Sequence, residues 1–458
     1  MKRGNFILLV TAIIILLVTS CSVNKSGHNI CFKLQNENGK KYILYSYRGT
    51  PGNFVTIDTV DAKNKICFKG KNKLHKGIYV IANEKKERLF DFIVSKNQNF
   101  KITANLKSPY KNYIIKKSKN NTVFFNFNRF KMDTFLRLKE DGLTDSLANL
   151  ETEKIANKEE KKIIKDNPRL FVSKLFKASH TPKNPYIKDT TDIKKAYFYQ
   201  KKHYWDNYDL KDSGFLNTPF LMPYFDKYFE KIVGPDPDTI ITAIDNLIAK
   251  TQPDSEIRNY FLYDLLGKYQ SHPIMGYDKI FLHIGENYFL NKKVKGFPKS
   301  SYKQLEEIVK KTKPILIGKK APELILIDTL ENLVPLYSLN KPYTVIFFYD
   351  YDCGHCKTQS EELKKLYDTE LKNEVDVYAV CTKNDLGKWR KYVRENNFHW
   401  YDVNGTHTAK GNYHNLYNVS GTPLIFLLDK DKKIIGKKIS PQQIQTIIDI
   451  DKEKKNNN

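Results

Sequence analysis

Residues 344–357, TVIFFYDYDCGHCK, constrain this chain more than any other stretch. Val345, Ile346, Phe347, Phe348 and Tyr349 form an unbroken apolar, β-prone run. That is the pattern of a strand buried on both faces, and it is expected to stop at Asp350. Cys353-Gly354-His355-Cys356 follows, and Leu363, Leu366 and Leu371 then recur among Glu, Lys and Gln as on an amphipathic helix. The two cysteines therefore open a helix. Its first turn carries unpaired backbone N–H groups and the positive end of the macrodipole, which favour a thiolate at Cys353. Two intervening residues bring Cys356 within reach of a mixed disulfide formed at Cys353. A lone CxxC is also half of a structural zinc site. No second CxxC completes one: Cys381 stands alone, and His399, His407 and His414 are too far apart for the usual histidine pair. The expectation is a dithiol with no metal and no cofactor.

At the other end, Met1-Lys2-Arg3 precedes an apolar run over 6–18 and the small residues Thr19-Ser20. A basic start, a short apolar stretch and a small-residue cut describe a secretory signal, too short to span a bilayer. Leu17-Val18-Thr19-Ser20-Cys21 further resembles the lipobox of bacterial lipoproteins, which implies a mature chain beginning at a lipidated Cys21. Each buried acyl methylene then contributes about 0.8 kcal/mol of anchoring. An ordinary cleaved signal is the alternative. Ser22 and Val23 bring no acidic run, so the expectation is a lipid-anchored envelope protein facing the periplasm.

The net charge of +26 raises the question of nucleic acid or an anionic surface. The lysines are dispersed, runs such as Lys116-Lys117-Ser118-Lys119 are short, and no nucleic-acid motif accompanies them. Solvated lysine-rich faces are the reading, with no nucleic-acid partner. Of the six cysteines, Cys31 and Cys67 lie in two copies of one strand-like pattern, Ile-Cys-Phe-Lys. A bridge between them and two buried thiols both remain open. Cys381 ends the apolar strand 375–381 and reads as core, with a regulatory thiol as the alternative.

Organisation follows from changes in periodicity. Residues 29–112 alternate short β-prone runs with turns, among them Asn38-Gly39 and Thr50-Pro51-Gly52-Asn53, as in a small antiparallel sandwich or barrel. Residues 113–312 carry helical patterns (124–141, 146–166, 168–176, 193–205, 218–233, 237–250, 256–271, 278–289 and 302–311), with Asp236-Pro237 and Asp254 as helix starts. The aromatic run His203–Tyr208 reads as core packing before it reads as a pocket lining. Residues 313–452 return to alternating strands and helices: strands at 324–328 and 375–381, a helix over 385–396, Gly421-Thr422-Pro423 before the apolar strand 424–428, a hairpin to 434–436, and a last helix opened by Ser440-Pro441. The expected division is thus 1–20 signal, 21–28 linker, 29–112 antiparallel β domain, 113–312 α-helical middle domain, 313–452 α/β domain and 453–458 disordered tail.

A strand, CGHC at a helix start, a Thr-Pro some seventy residues on, a hairpin and a final helix together resemble the thioredoxin fold. The lead-in Gly318-Lys319-Lys320-Ala321-Pro322-Glu323 looks like that of exported thiol:disulfide oxidoreductases related to TlpA and ResA, at the C-terminus of a multidomain bacterial lipoprotein. The resemblance implies that Cys353 attacks, that Cys356 resolves, and that Pro423 is a cis-proline abutting the pair. It implies that Gly421, Thr422 and Gly354 border an extended substrate segment. Two departures matter: Phe347 stands where thioredoxin carries a buried Asp, and Tyr349 replaces the usual Trp. Proton transfer from Cys356 must then use water, His355 or another carboxylate.

The Gly354-His355 dipeptide is the one protein disulfide isomerase uses. Isomerase and thioredoxin potentials differ by about 90 mV, roughly a thousandfold in equilibrium constant. His355 and the helix dipole push toward an oxidising pair while Asp350 and Asp352 oppose them, so the residues leave the direction of electron flow open. The expected activity is reduction or isomerisation of disulfides in exported cysteine-containing proteins, with a membrane thiol donor or acceptor as second partner. The alternative is an envelope lipoprotein whose accessory domains bind a partner, with the dithiol domain secondary.

Overall fold

The computed structural model describes residues 27–36, 41–61, 66–186, 192–291 and 294–456. The expected signal segment, the lipidation site Cys21 and the Asn38-Gly39 turn lie outside the described residues. The chain divides into two compact units between Phe261 and Leu262.

In the N-terminal unit the strands are β1 (His28–Gln35), β2 (Lys41–Arg48), β3 (Thr50–Asp61), β4 (Ile66–Gly70), β5 (Gly77–Asn83), β6 (Arg88–Val94), β7 (Asn99–Asn105) and β8 (Tyr113–Lys116). They make two four-stranded sheets, ordered β4-β1-β7-β8 and β3-β2-β5-β6. Pairing is antiparallel except between β1 and β7, which run parallel. Alternate residues of both sheets, including Phe32, Phe68, Phe90 and Phe92, form a shared core in which Phe32 and Phe92 meet edge to face at 5.1 Å. Strand β8 pairs with β7, so the sheet continues past the expected boundary at residue 112.

The two Ile-Cys-Phe-Lys repeats are antiparallel partners. Cys31 lies opposite Cys67 with Cα atoms 4.1 Å apart, and the two sulfurs are bonded, which closes the question the sequence left open. Closing a loop across 36 positions is worth about 3–4 kcal/mol by chain entropy. Replacing both cysteines by Ser is expected to lower unfolding stability by that amount under oxidising conditions. The effect should vanish in dithiothreitol; identical urea midpoints without reductant would refute it.

The helices that follow are α1 (Lys119–Glu140), α2 (Asp145–Asp166), α3 (Phe171–Ser179), α4 (Ile193–His203), α5 (Leu221–Lys227), α6 (Pro237–Ala249), α7 (Glu256–Gln270), α8 (Asp278–Ile284) and α9 (Lys299–Thr312). Ser118 caps α1, and the buried Asn121 side chain bonds the Ile93 backbone on both sides, accepting from N at 2.7 Å and donating to O at 2.8 Å. One amide thus fixes α1 to β6. Asp236 caps α6 ahead of Pro237, as expected. At α7 the cap is Ser255 rather than Asp254: its hydroxyl accepts from Arg258 N at 3.3 Å. Tyr204, Trp205 and Tyr208 are buried: Tyr204 and Tyr208 stack on Tyr224, and Trp205 meets Tyr228 edge to face, so these aromatics are core.

The C-terminal compact unit begins at Leu262 and so takes in the last helices of the middle region together with residues 313–452. The cause is long-range: buried Lys437 bonds the Asp278 carboxylate and the Ile315 carbonyl, tying α8 to the end of the sheet. This sheet comprises β9 (Ile325–Asp328), β10 (Leu333–Pro335), β11 (Tyr343–Tyr349), β12 (Val375–Cys381), β13 (Tyr401–Lys410), β14 (Leu424–Leu428) and β15 (Ile434–Lys437), in the order β10-β9-β13-β12-β11-β14-β15. β11, β12 and β13 are parallel, and β14 joins β11 antiparallel. β11 is central and wholly buried: Val345, Phe347 and Tyr349 enter one core, Ile346 and Phe348 the other.

Helices α10 (Gly354–Leu366), α11 (Leu386–Asn396), α12 (Tyr413–Leu416) and α13 (Gln443–Asn456) complete the unit. Ser440-Pro441 form a turn, and α13 begins at Gln443, whose side chain accepts from Ser440 N. The helix then continues to Asn456, where a disordered tail was expected from 453. Ion pairs from Lys455 to Asp451 at 2.6 Å and from Lys452 to Glu374 at 2.5 Å account for the extra turn.

Candidate redox-active site

β11 delivers the chain to the C-terminal end of the parallel strands, and the turn Asp350–Asp352 hands it to α10. Cys353 is the N-cap of that helix, with extended backbone at φ −87° and ψ 122°. Its N–H donates to Asp350 O and its carbonyl accepts from Lys357 N, both at 3.1 Å. Cys356 falls in the first turn. Both are free thiols, but Cys353 is half-buried while Cys356 is 0% exposed. A partner's sulfur can therefore reach Cys353 and cannot reach Cys356.

The Thr422–Pro423 peptide bond is cis. β14 starts at the next residue, Leu424, opposite Phe348, and one further step of that register puts Pro423 beside the end of β11. Proline and dithiol thus lie at the same end of the sheet. The Thr422 hydroxyl and the Asp350 backbone hydrogen-bond Cys356 and favour its thiolate, but burial outweighs them and pushes this thiol up to about 11. A methyl group added at Gly354 or Gly421 would meet nothing within 4 Å, and His355 is exposed. The rim around Cys353 is open. The expected site residues Cys353, Gly354, His355, Cys356, Gly421, Thr422 and Pro423 are accordingly all near one another in the fold.

Two further groups of this domain, Lys383 and Asp402, carried no mark in the sequence. Asp350 pairs with Lys383 at 3.1 Å, so one of the two acids beside the cysteines is offset by a cation. Phe347, in place of a buried acid, stacks on Tyr349 at 5.5 Å. A buried acid is nevertheless present on β13. Asp402 Oδ1 accepts from Tyr349 OH at 2.7 Å and Trp389 Nε1 at 2.8 Å, and Oδ2 accepts from Trp400 Nε1 at 3.2 Å. Burial raises its carboxyl to about 6 against those three donors. Tyr349, Trp389 and Cys356 belong to one core cluster. Cys381 is buried in that cluster as well, and burial pushes its thiol up to about 12, as befits a core residue. Among the described residues no group of three His, Cys, Asp or Glu side chains is placed to hold a metal.

Residues 317–437 match the AhpC/TSA family. The C-terminal region is a thioredoxin-like domain. Residues 149–312 match a domain of unknown function, DUF5106. No curated protein matches the chain. Among solved structures, a domain of a possible thiol-disulfide isomerase from Cytophaga hutchinsonii is 28% identical, over 32% of this chain and 99% of that one, with a TM-score of 0.30. A thioredoxin-like protein from Bacteroides caccae is 21% identical over 59% of this chain and 98% of its own, with a TM-score of 0.48. A thiol:disulfide interchange protein from a Bacteroides species is 24% identical over 30% and 90%, with a TM-score of 0.27. The assignment of the thioredoxin-like domain rests on the family match and on the sheet order, helix-capping dithiol and cis-proline of this chain.

Proposed function

We propose that the thioredoxin-like domain is a thiol:disulfide oxidoreductase acting on cysteine-containing exported proteins, with Cys353 as nucleophile and Cys356 as resolving thiol. The unequal exposure of the two sulfurs on one helical turn carries this reading. The Cys353 thiolate attacks a substrate disulfide sulfur, its S–S bond breaks, and the leaving substrate thiolate takes up a proton. Cys356 then gives up its proton and attacks Cys353 Sγ. The Cys353–Cys356 disulfide forms, the second substrate thiol leaves, and two electrons have passed to the substrate. Attack on the mixed disulfide by another substrate thiol instead gives isomerisation. Net reduction requires a thiol donor to restore the pair.

The same reading places the protein in the cell envelope, anchored by lipid at Cys21 and facing the periplasm. The Cys31–Cys67 disulfide supports it, because such bridges persist in oxidising compartments. Glutathione titration of Cys353 and Cys356 tests the activity directly. A reversible two-electron transition is expected. A midpoint near thioredoxin's, about −270 mV, makes the domain a reductant, and one near −180 mV or above makes it an isomerase or oxidant. The absence of any reversible transition would refute the assignment.

A further inference from the structure

The N-terminal unit contains a cavity of about 580 Å³ between the outer face of the β3-β2-β5-β6 sheet and helices α1–α3. Volumes of roughly 300–1,000 Å³ hold small ligands, whereas voids in a packed core rarely exceed a water molecule. Phe124, Leu175 and Phe176 supply much of its apolar lining. Phe54 and Phe220, 40% and 49% exposed, leave two further aromatic rings in contact with solvent. The charged lining is Arg88, Asp91 and Glu160.

We propose that this cavity binds a small primary amine with an apolar body, the body against Phe124, Leu175 and Phe176 and the ammonium group between Asp91 and Glu160. The argument starts from one unmatched acceptor, Asp91 Oδ1, beside a second carboxyl group. Asp91 stands between the core residues Phe90 and Phe92 on β6 and so points to the helical side of the sheet. Arg88 bonds its Oδ2, but Oδ1 is buried and has no hydrogen-bond partner among the described residues. A buried acceptor left unmatched is destabilising, and a donor on a ligand would satisfy it. Glu160, whose side chain is 13% exposed, lies 2.8 Å from His180 Nε2. Two carboxyl groups against one guanidinium already engaged disfavour an anionic guest. An ammonium group brings three donors and no acceptor.

Affinity should depend on pH. Burial raises the Glu160 carboxyl to about 7, Lys131 opposes that shift, Glu153 adds to it, and the hydroxyl of Ser179 stabilises the anion. His180 titrates below its ordinary value because of its burial and the charge of Lys161. Asp91 is also raised by burial. Amine affinity therefore climbs as pH rises through 7, by about tenfold between pH 6 and 8 if only ionised Glu160 binds.

The test is calorimetry on the full chain with hexylamine, hexanol and hexanoate, three probes of equal length. At pH 8 hexylamine should bind at least about tenfold more tightly than hexanol, and hexanoate most weakly. Glu160→Gln should bring the amine down to the alcohol and abolish the pH dependence. Phe220→Ala at an exposed position, or Leu175→Trp to fill the cavity, should weaken all three, with thermal melts confirming that each variant folds. Equal binding of amine and alcohol, preference for hexanoate, an unchanged Glu160→Gln variant, or no binding of any probe would each overturn the proposal. None of these outcomes depends on the dithiol, so this inference stands or falls apart from the redox assignment.

Discussion

Cys353→Ser is expected to abolish turnover of a protein disulfide such as insulin, with a loss on the order of a thousandfold or more. A serine hydroxyl is not ionised at neutral pH and cannot exchange with a disulfide, whereas Cys353 at the helix cap is partly exposed and placed at the positive end of the dipole. Cys356→Ser should behave differently. The first step survives, the resolving step does not, and a mixed disulfide between Cys353 and the substrate accumulates. Mass spectrometry should show one adduct per chain, released by dithiothreitol. The contrast between the two variants is the informative result, because it follows from exposure: 0% for Cys356 against a half-buried Cys353. Wild-type rates in both would end the case for this site.

The second large effect concerns Asp402. Asp402→Ala removes the acceptor of Tyr349, Trp389 and Trp400, two of whose donors lie in a fully buried environment. At about 1–3 kcal/mol for each buried donor left without a partner, a loss of about 3–5 kcal/mol is expected in urea unfolding. Asp402→Asn separates charge from shape. The folded carboxyl titrates at about 6 against an ordinary value of 3.8, so between these values the folded chain holds more protons than the unfolded one. Its contribution is therefore full below about pH 4 and lost as pH rises through 6, worth about 3 kcal/mol. The asparagine variant carries no such slope. Plotted against pH from 4 to 7, the difference in stability between wild type and Asp402→Asn should change by that amount; a constant difference would refute the assignment.

These two sites were legible in the sequence to very different degrees. The dithiol announced itself because its chemistry is local: strand, CxxC and helix are contiguous, and β11 and β12 fell where apolar runs placed them. Asp402 gave no signal, because its donors come from positions 349, 389 and 400 and meet only when β13 pairs with β12. The segment 397–420 offered no long alternating run, and pairing on both sides, to β12 and β9, makes Tyr401–Lys410 a strand. The Cys31–Cys67 bridge was an open alternative for the same reason: composition permits it, and only register brings the Cβ atoms together. The end of α13 was misjudged because a lysine- and asparagine-rich tail lacks a core-facing stripe. Its last turn is held by ion pairs, one of them to Glu374, 78 positions away.

By itself the sequence determined the periodicities, and through them an antiparallel β region, a helical middle and an α/β domain whose two thiols open a helix. It also determined which residues are the candidates for redox chemistry, since cysteine spacing on a helical turn is a property of the local chain. The tertiary structure decided which of those thiols a partner can reach, where the compact units divide, and which carboxylates are buried. Those properties depend on contacts between residues tens to hundreds of positions apart. Lys437 with Asp278 and Tyr349 with Asp402 are such pairs, and no local pattern encodes them. The cavity that holds Asp91 and Glu160 is of the same kind, since strand and helix supply its two acids from positions 69 apart and only packing brings them to one space.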